Sequence, residues 1–395
     1  MPAFRFLFLN NIGFFIASNA QRFVFGWFVL DGLDGTEGDQ GLAVFALGLP
    51  GVFLLLHAGV WADRWNRKRL MIGSQVASAA AMGAAMVVVD SEGVTLTWVV
   101  LLALIAGSAT AVGQPVRQSL VPALVSREQL FNAIALNAIA GTFSLIIGSA
   151  AAKLFGDLFG FPGAFGFLFV LFIIGLGALA PLRVPPHHDL PAKRAIRVEA
   201  IEAARYVWHA RALRKLFGLL AVAGLIVSPL FQVTLQAHVK GELGRSSGDA
   251  ALPFAVMGIG IAAASVIVMR KGNMKNKGAA FMRAMICGTT LVALMGRTTQ
   301  LWQLTILAGL MGFAAGFFVN MNQGLIQANT PQELMGRVMS LYTLIQVSIG
   351  PIGALGLGFL AAEIGTGNTM TLISPIATAY VVITYVTDKE LRHMS

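Results

Sequence analysis

The chain has 395 residues, of which 56% are hydrophobic and only 12% charged, with a formal net charge of +10. Soluble globular domains carry about 25% charged residues, so this composition excludes an ordinary water-soluble fold. A single cysteine, Cys287, excludes a disulfide framework.

A bilayer core about 30 Å thick calls for roughly 20 apolar residues per helical crossing. Twelve such runs follow one another, near 4–30, 41–61, 70–89, 96–122, 132–156 and 162–182, then 213–239, 250–269, 278–296, 300–327, 335–361 and 369–387. The first is interrupted by Asn10, Asn11, Asn19, Gln21 and Arg22 and is too long for a cleavable signal, so it is read as a retained helix. Between the second and third runs, "GVWADRWNRKRL" (59–70) crowds Asp63, Arg64, Arg67, Lys68 and Arg69 together. Each charge costs about 2.5–3.5 kcal/mol at mid-membrane, so the group stays at the water boundary and stops translocation there.

A polar segment over 183–215 separates six runs from six. Its first part is Pro-rich and extended in expectation. From about Ile196 it reads as an amphipathic helix with Ile196, Ala200, Ala204 and Val207 on one face, either lying on the membrane surface or acting as a solvated tether. The expected organisation is a first six-helix bundle over 1–182, a cytoplasmic loop over 183–212 and a second bundle over 213–395. With both termini in the cytoplasm, most of the 28 Lys and Arg fall in inner segments, while Asp31, Asp34, Glu37, Asp39, Asp90 and Glu92 face outward. The basic balance therefore records insertion, and no nucleic-acid partner is expected.

The halves repeat each other. "RQSLVPALVSREQL" (117–130) aligns with "NQGLIQANTPQEL" (322–334), pairing Gln118 with Gln323, Leu120 with Leu325 and Glu128 with Glu333. "MRKGNMKNKG" (269–278) stands as a weak copy of the first-half basic cluster. A duplication of about 200 residues marks many secondary transporters.

Gly59, Asp63, Arg64, Arg67 and Lys68, in that order in the loop after the second run, resemble the loop signature of the major facilitator superfamily. Asn66 stands where that pattern usually has Gly, and Asn tolerates a left-handed backbone better than most residues. "QRFVFGW", "QPVRQSLVPALVSREQLFNAIALN" and "PQELMGRVMSLY" are similar to the bacterial secretion-effector branch, which includes the enterobactin exporter and macrolide efflux proteins. The resemblance implies an all-α membrane protein of twelve helices in two pseudo-symmetric bundles. It also implies that Asp63 pairs with Arg117 and approaches the start of span eleven near Met335, forming a gate with Gly59, Arg64, Arg67 and Lys68. "GPIGALGLG" (350–358) resembles the superfamily's antiporter motif, although that label belongs to span five, whose "GSAAA" lacks the Pro.

Candidate substrate groups are Asn19 and Arg22 in span one, Gln114 in span four, Asn137 in span five, Gln232 and Gln236 in span seven, Asn320 and Gln323 in span ten, and Gln346 in span eleven. Ser144 and Asn322 are further polar positions at similar depth, and for each group a helix–helix hydrogen bond is the competing role. An intramembrane Arg faces the bundle interior or a wet cavity and takes a partner, so Arg22 meets either an anionic or carbonyl-bearing substrate or an outer acid such as Asp31 or Asp157. No carboxylate falls at mid-membrane; Asp31 and His57 are the proton-coupling candidates, with His238 at an outer end. "HHD" (187–189) is too short and Pro-flanked for a metal site, and no phosphate-binding glycine loop is present, so neither an enzyme, a cofactor nor an ATP-driven pump is expected.

The expected function is therefore secondary active transport in the inner membrane by a monomer. The chain would export a small amphipathic molecule by alternating access, driven by protons. A lysophospholipid flippase or facilitated importer of the same fold is the alternative, and a transport-inactive receptor or scaffold is the alternative of another class.

Overall fold

A computed structural model describes residues 2–182, 184, 196–271 and 276–394. Among them no strand occurs, and the elements are helices joined by short turns. Helix α1 (Pro2–Trp27) closes in a π-helical turn, Phe28–Gly32. Then follow α2 (Glu37–Arg64), α3 (Arg67–Val88), α4 (Leu96–Leu124) and α5 (Arg127–Leu179). The second half comprises α6 (Ile196–His209), α7 (Arg211–Val222), a π turn over Ala223–Val227, α8 (Ser228–Gln232) and α9 (Thr234–Gly241). It ends with α10 (Ala251–Lys271), α11 (Lys277–Met295), α12 (Leu301–Ala328), α13 (Met335–Ile364), α14 (Thr366–Thr387) and the short α15 (Lys389–His393).

Among the described residues ten stretches are long and apolar enough to cross a membrane, and Ile139–Leu179 within α5 is counted among them as one. That stretch is two crossings. Phe159 and Gly160 leave helical geometry, and Gly160 sits at φ 68, ψ −169, a region open essentially to glycine. Pro162, which has no backbone donor to lose, then opens the second arm. Helix α1 is the remaining crossing, kept off the apolar count by the amides and Arg22 that interrupt it. The expected twelve crossings result.

Local caps explain several boundaries. Thr36 Oγ1 accepts from the Asp39 backbone N–H while the Asp39 carboxylate accepts from Thr36 N–H, a reciprocal box that starts α2. Asn66 is the N-cap of α3 and its side chain accepts from the Arg69 N–H at 3.1 Å. Its backbone is extended, at φ −62 and ψ 111, which corrects the left-handed expectation. A capping side chain reaches the N3 amide from the extended region, so the Asn is retained as a cap. Asn276 occupies the same N-cap position before α11, and there the backbone is left-handed, at φ 59.

The chain divides into two compact units, 1–192 and 193–395. Within the first, α1 packs on α5, α2 on α4, and α3 on both α4 and α5. Within the second, the π turn and α8 pack on α13, α10 on α12, and α11 on α12 and α14. Both units thus use one pairing scheme, and small residues permit it. A Cβ on Gly107 of α4 would collide with the Leu47 carbonyl of α2, and one on Gly312 of α12 with the Met257 carbonyl of α10. Close backbone approach of this kind drives association where lipid offers no hydrophobic gain.

Helix α6 packs against α13, burying Ala203 and Val207, and Glu202 accepts from Arg337 at 2.7 Å. Of the expected apolar face, Val207 is buried but Ala204 is exposed, because packing on α13 turns the stripe to Ala203. The Pro-rich run before α6, including His187, His188 and Asp189, lies outside the described residues.

Gly107→Val should destabilise the first unit by about 1–3 kcal/mol through overpacking. A lowered thermal midpoint in detergent, at unchanged membrane insertion, is the expected reading.

Candidate functional site

The basic cluster at the α2–α3 turn ties helix ends together. Arg67 donates to the Ser119 carbonyl in the last turns of α4 at 3.3 Å, and Lys68 to the carbonyl of Ala180, the C-cap of α5, at 2.9 Å. Cations beside C-terminal carbonyls are favoured by the negative end of the helix dipole. Asp63 and Arg64 end α2, but their side chains lie outside the described set, and Gly59 is described only as helical backbone.

Arg117 is 2% exposed, and its described partners lie on α1 and α3. Its terminal nitrogens donate to the Gln75 amide oxygen at 2.8 Å and to the Asn10 amide oxygen, and its guanidinium lies 3.7 Å from the centre of the Phe14 ring. Asn10 also donates to Gln75 at 2.8 Å and to the Gly175 carbonyl at 2.7 Å, and Gln75 donates to the Phe172 carbonyl at 3.0 Å. Three helices and the second arm of α5 therefore converge on one cation. A side chain at Gly175 would run into the Gln75 amide, so the absence of a Cβ makes room for the network. The described partners of Arg117 are two neutral amides and an aromatic face, and its Nε is buried without an acceptor.

Farther along α1, the polar groups face α5. Asn11 donates to Asn137 at 3.0 Å, and Asn19 donates to Ser144 at 2.7 Å and to the Phe15 carbonyl at 3.0 Å. Arg22, one turn beyond Asn19, is exposed and makes no hydrogen bond or ion pair among the described residues. The two acids expected to meet Arg22 are engaged elsewhere. Asp157 pairs with Lys153 at 2.5 Å, and Asp31 accepts from the Trp27 indole at 3.1 Å. His57 is exposed, with its ring 2.7 Å from the Phe53 carbonyl.

The second-unit candidates scatter. Gln232 bonds locally to Ser228 at 2.7 Å, and Gln236 is buried. Asn320 is exposed and donates to Ser265 at 3.0 Å, whereas Asn322 is buried and donates to the Leu216 carbonyl at 3.2 Å. Residues two apart on a helix point about 200° apart, so Asn320 and Asn322 lie on opposite sides of span ten. Gln114 and Gln323 are half-buried and Gln346 is exposed. His238 is packed within 3.3 Å of the Thr298 and Thr366 hydroxyls. Among the described residues no group of His, Cys, Asp and Glu is arranged to hold a metal.

The Major Facilitator Superfamily profile matches residues 7–354. The chain belongs to the major facilitator superfamily. Multidrug efflux pump Tap of Mycobacterium tuberculosis is 26% identical over 395 residues, covering 95% of this chain and 91% of that protein. Enterobactin exporter EntS of Citrobacter koseri is 23% identical over 353 residues, covering 86% and 79%. A crystal structure of a mutant of the peptide transporter POT superposes with a TM-score of 0.76 at 12% identity, covering 99% of this chain and 95% of the other. Nucleoside transporter NupG superposes at 0.74 with 15% identity, covering 98% and 100%. The protein is a multi-pass membrane transporter and not an enzyme.

Two features of this major facilitator protein escape a reading of apolar runs. The first is the Asn10–Gln75–Arg117 network, signalled only by amides in otherwise apolar helices. The second is span seven, where a π turn over Ala223–Val227 and a break at Val233 divide the crossing. Gly224 and Pro229 are its sequence signal, since Pro removes a backbone donor.

Arg117→Lys keeps the charge but cannot bridge both amide oxygens or lie flat on Phe14. Unfolding in detergent should become easier by about 1.5–3 kcal/mol, the range for charged hydrogen bonds. A midpoint equal to wild type would show that the network does not hold these helices.

Proposed function

We propose that this transporter exports a small amphipathic molecule from the cytoplasm, by alternating access and with proton drive. The observation that carries the substrate assignment is Arg22. An exposed guanidinium in a crossing helix, with no described partner, needs either water or a ligand beside it, because an intramembrane charge facing lipid is costly. A planar fork of donors suits a carboxylate, a phenolate or a carbonyl pair. Asn19 and Ser144, one turn along the same α1–α5 seam, extend the polar strip, and Phe23 and Trp27 supply aromatic surface nearby. Both Tap and EntS, which the chain resembles over most of its length, are named for outward movement, and this supports export.

In this reading both termini are cytoplasmic, the membrane is the bacterial inner membrane and the working unit is a monomer. Asp63 and its neighbours act as an ionic latch between the inner ends of the helices, releasing when the site opens inward. His57 and Asp31 are the groups through which proton movement would couple. At about 100 mV one charge supplies roughly 2.3 kcal/mol, enough for about a fiftyfold gradient.

The substrate assignment is tested in a host stripped of its own exporters, scored by tolerance to amphipathic antibiotics and by release of a catecholate siderophore. Arg22→Gln should lose at least about tenfold in transport and Arg22→Lys should retain part of it, at equal amounts in the membrane. Equal transport by all three would remove Arg22 from the site. Asp63→Asn should insert normally and lose most transport; wild-type flux from that variant would discard the latch. In proteoliposomes, an imposed pH gradient should accelerate flux, and indifference to it would indicate facilitated movement.

A further inference from the structure

A cavity of about 830 Å³ opens between α2, α3 and α4, within the first unit and away from the α1–α5 seam. Its walls are Leu54 of α2, Gly73 and Ala77 of α3, and Ile105, Ala109 and Val112 of α4. Its mouth lies at the α2–α3 turn, where Trp61 and Trp65 stack with ring centres 5.7 Å apart and planes 5° from parallel. Asn66 and Arg69 complete the mouth, and among its described lining residues Arg69 is the only charged one.

The cluster's basic side chains are not equivalent. Arg67 and Lys68 are bonded to the ends of α4 and α5, whereas the Arg69 side chain is exposed and makes no bond or ion pair among the described residues. The Asn66 amide oxygen is used by the α3 cap, which leaves its nitrogen as a donor beside Arg69. From Arg69 to Ala77 the groove follows α3 for roughly 12 Å. One leaflet of hydrocarbon is about 15 Å deep, half of the roughly 30 Å core. Stacked indoles at the mouth sit where tryptophan concentrates in membrane proteins, at the headgroup level. At Gly73 the groove is empty, since a Cβ there would meet nothing within 4 Å.

We propose that this groove binds an anionic glycerophospholipid of the leaflet on the side of the α2–α3 turn. Its phosphate sits on Arg69 and the Asn66 amide, its glycerol edge lies along the tryptophan pair, and one acyl chain descends between α2 and α4. The charge matches, because the described mouth offers a cation, a donor and no carboxylate. The lipid braces α2 against α3 and α4 beside the basic cluster, and it is a component of the fold and not the transported molecule.

Native mass spectrometry of the purified full chain, titrated with phosphatidylglycerol or phosphatidylethanolamine, tests this. Wild type should hold one phosphatidylglycerol roughly fivefold more tightly than phosphatidylethanolamine, the increment expected of one interfacial cation. Arg69→Gln should bind both alike, and Gly73→Phe, which fills the groove and keeps Arg69, should lose the tight adduct. Unfolding midpoints in lipid-free detergent check that both variants are folded. A phosphatidylglycerol with a diazirine in its acyl chain should label wild type within 69–77 and 105–112, which requires no variant. Unchanged lipid preference in either folded variant, or labelling elsewhere, would overturn the proposal. Displacement of phosphatidylglycerol by equimolar inorganic phosphate would assign Arg69 to a free anion and overturn it too.

Discussion

A bilayer solvates neither an ion nor an unpaired peptide group, and that constraint organises this protein. Every backbone amide in a crossing must be satisfied within the helix, and every charge must reach water, a helix end or a built partner. The turn between α2 and α3 meets both demands at once. It collects charge at the water boundary and uses Arg67 and Lys68 to satisfy carbonyls at the ends of α4 and α5. The same residues that stop insertion therefore also fasten three helix ends of the first unit together.

Arg117 shows the other solution. A buried cation with carboxylate company pays desolvation and recovers it through Coulomb attraction; one held by amides recovers it through oriented dipoles. Asn10 and Gln75 supply those dipoles, Phe14 supplies a quadrupole face, and Gly175 supplies the room. Arg22 differs because it is exposed and lacks described partners.

The two units solve packing in one way, with second and fourth crossings pressed together through Gly107 in one and Gly312 in the other. They differ in their first crossings. Helix α1 is continuous to Trp27 and loosens only at its end, whereas span seven loosens mid-course at Ala223–Val227. A π turn widens the helix locally, and in span seven it does so within the crossing. The duplication preserved pairing geometry while the polar functions diverged.

The crossings, the half-to-half repeat and the charged turn were legible in the chain itself, because hydrophobic run length and charge placement are one-dimensional signals that the membrane reads directly. The gap near 156–162 is an example, since Gly160 and Pro162 announce the corner between the arms of α5. Partner choice was not legible. Asn10, Asn66 and Asn322 look alike as letters, yet one holds a buried cation, one caps a helix and one bonds a carbonyl inside the second core. Arg67, Lys68 and Arg69 form one run in sequence, but only the fold directs the first two onto carbonyls and the third into a groove. Direction around a helix axis, and what a neighbouring helix presents at that depth, are set by tertiary packing, and so the site chemistry was decided there.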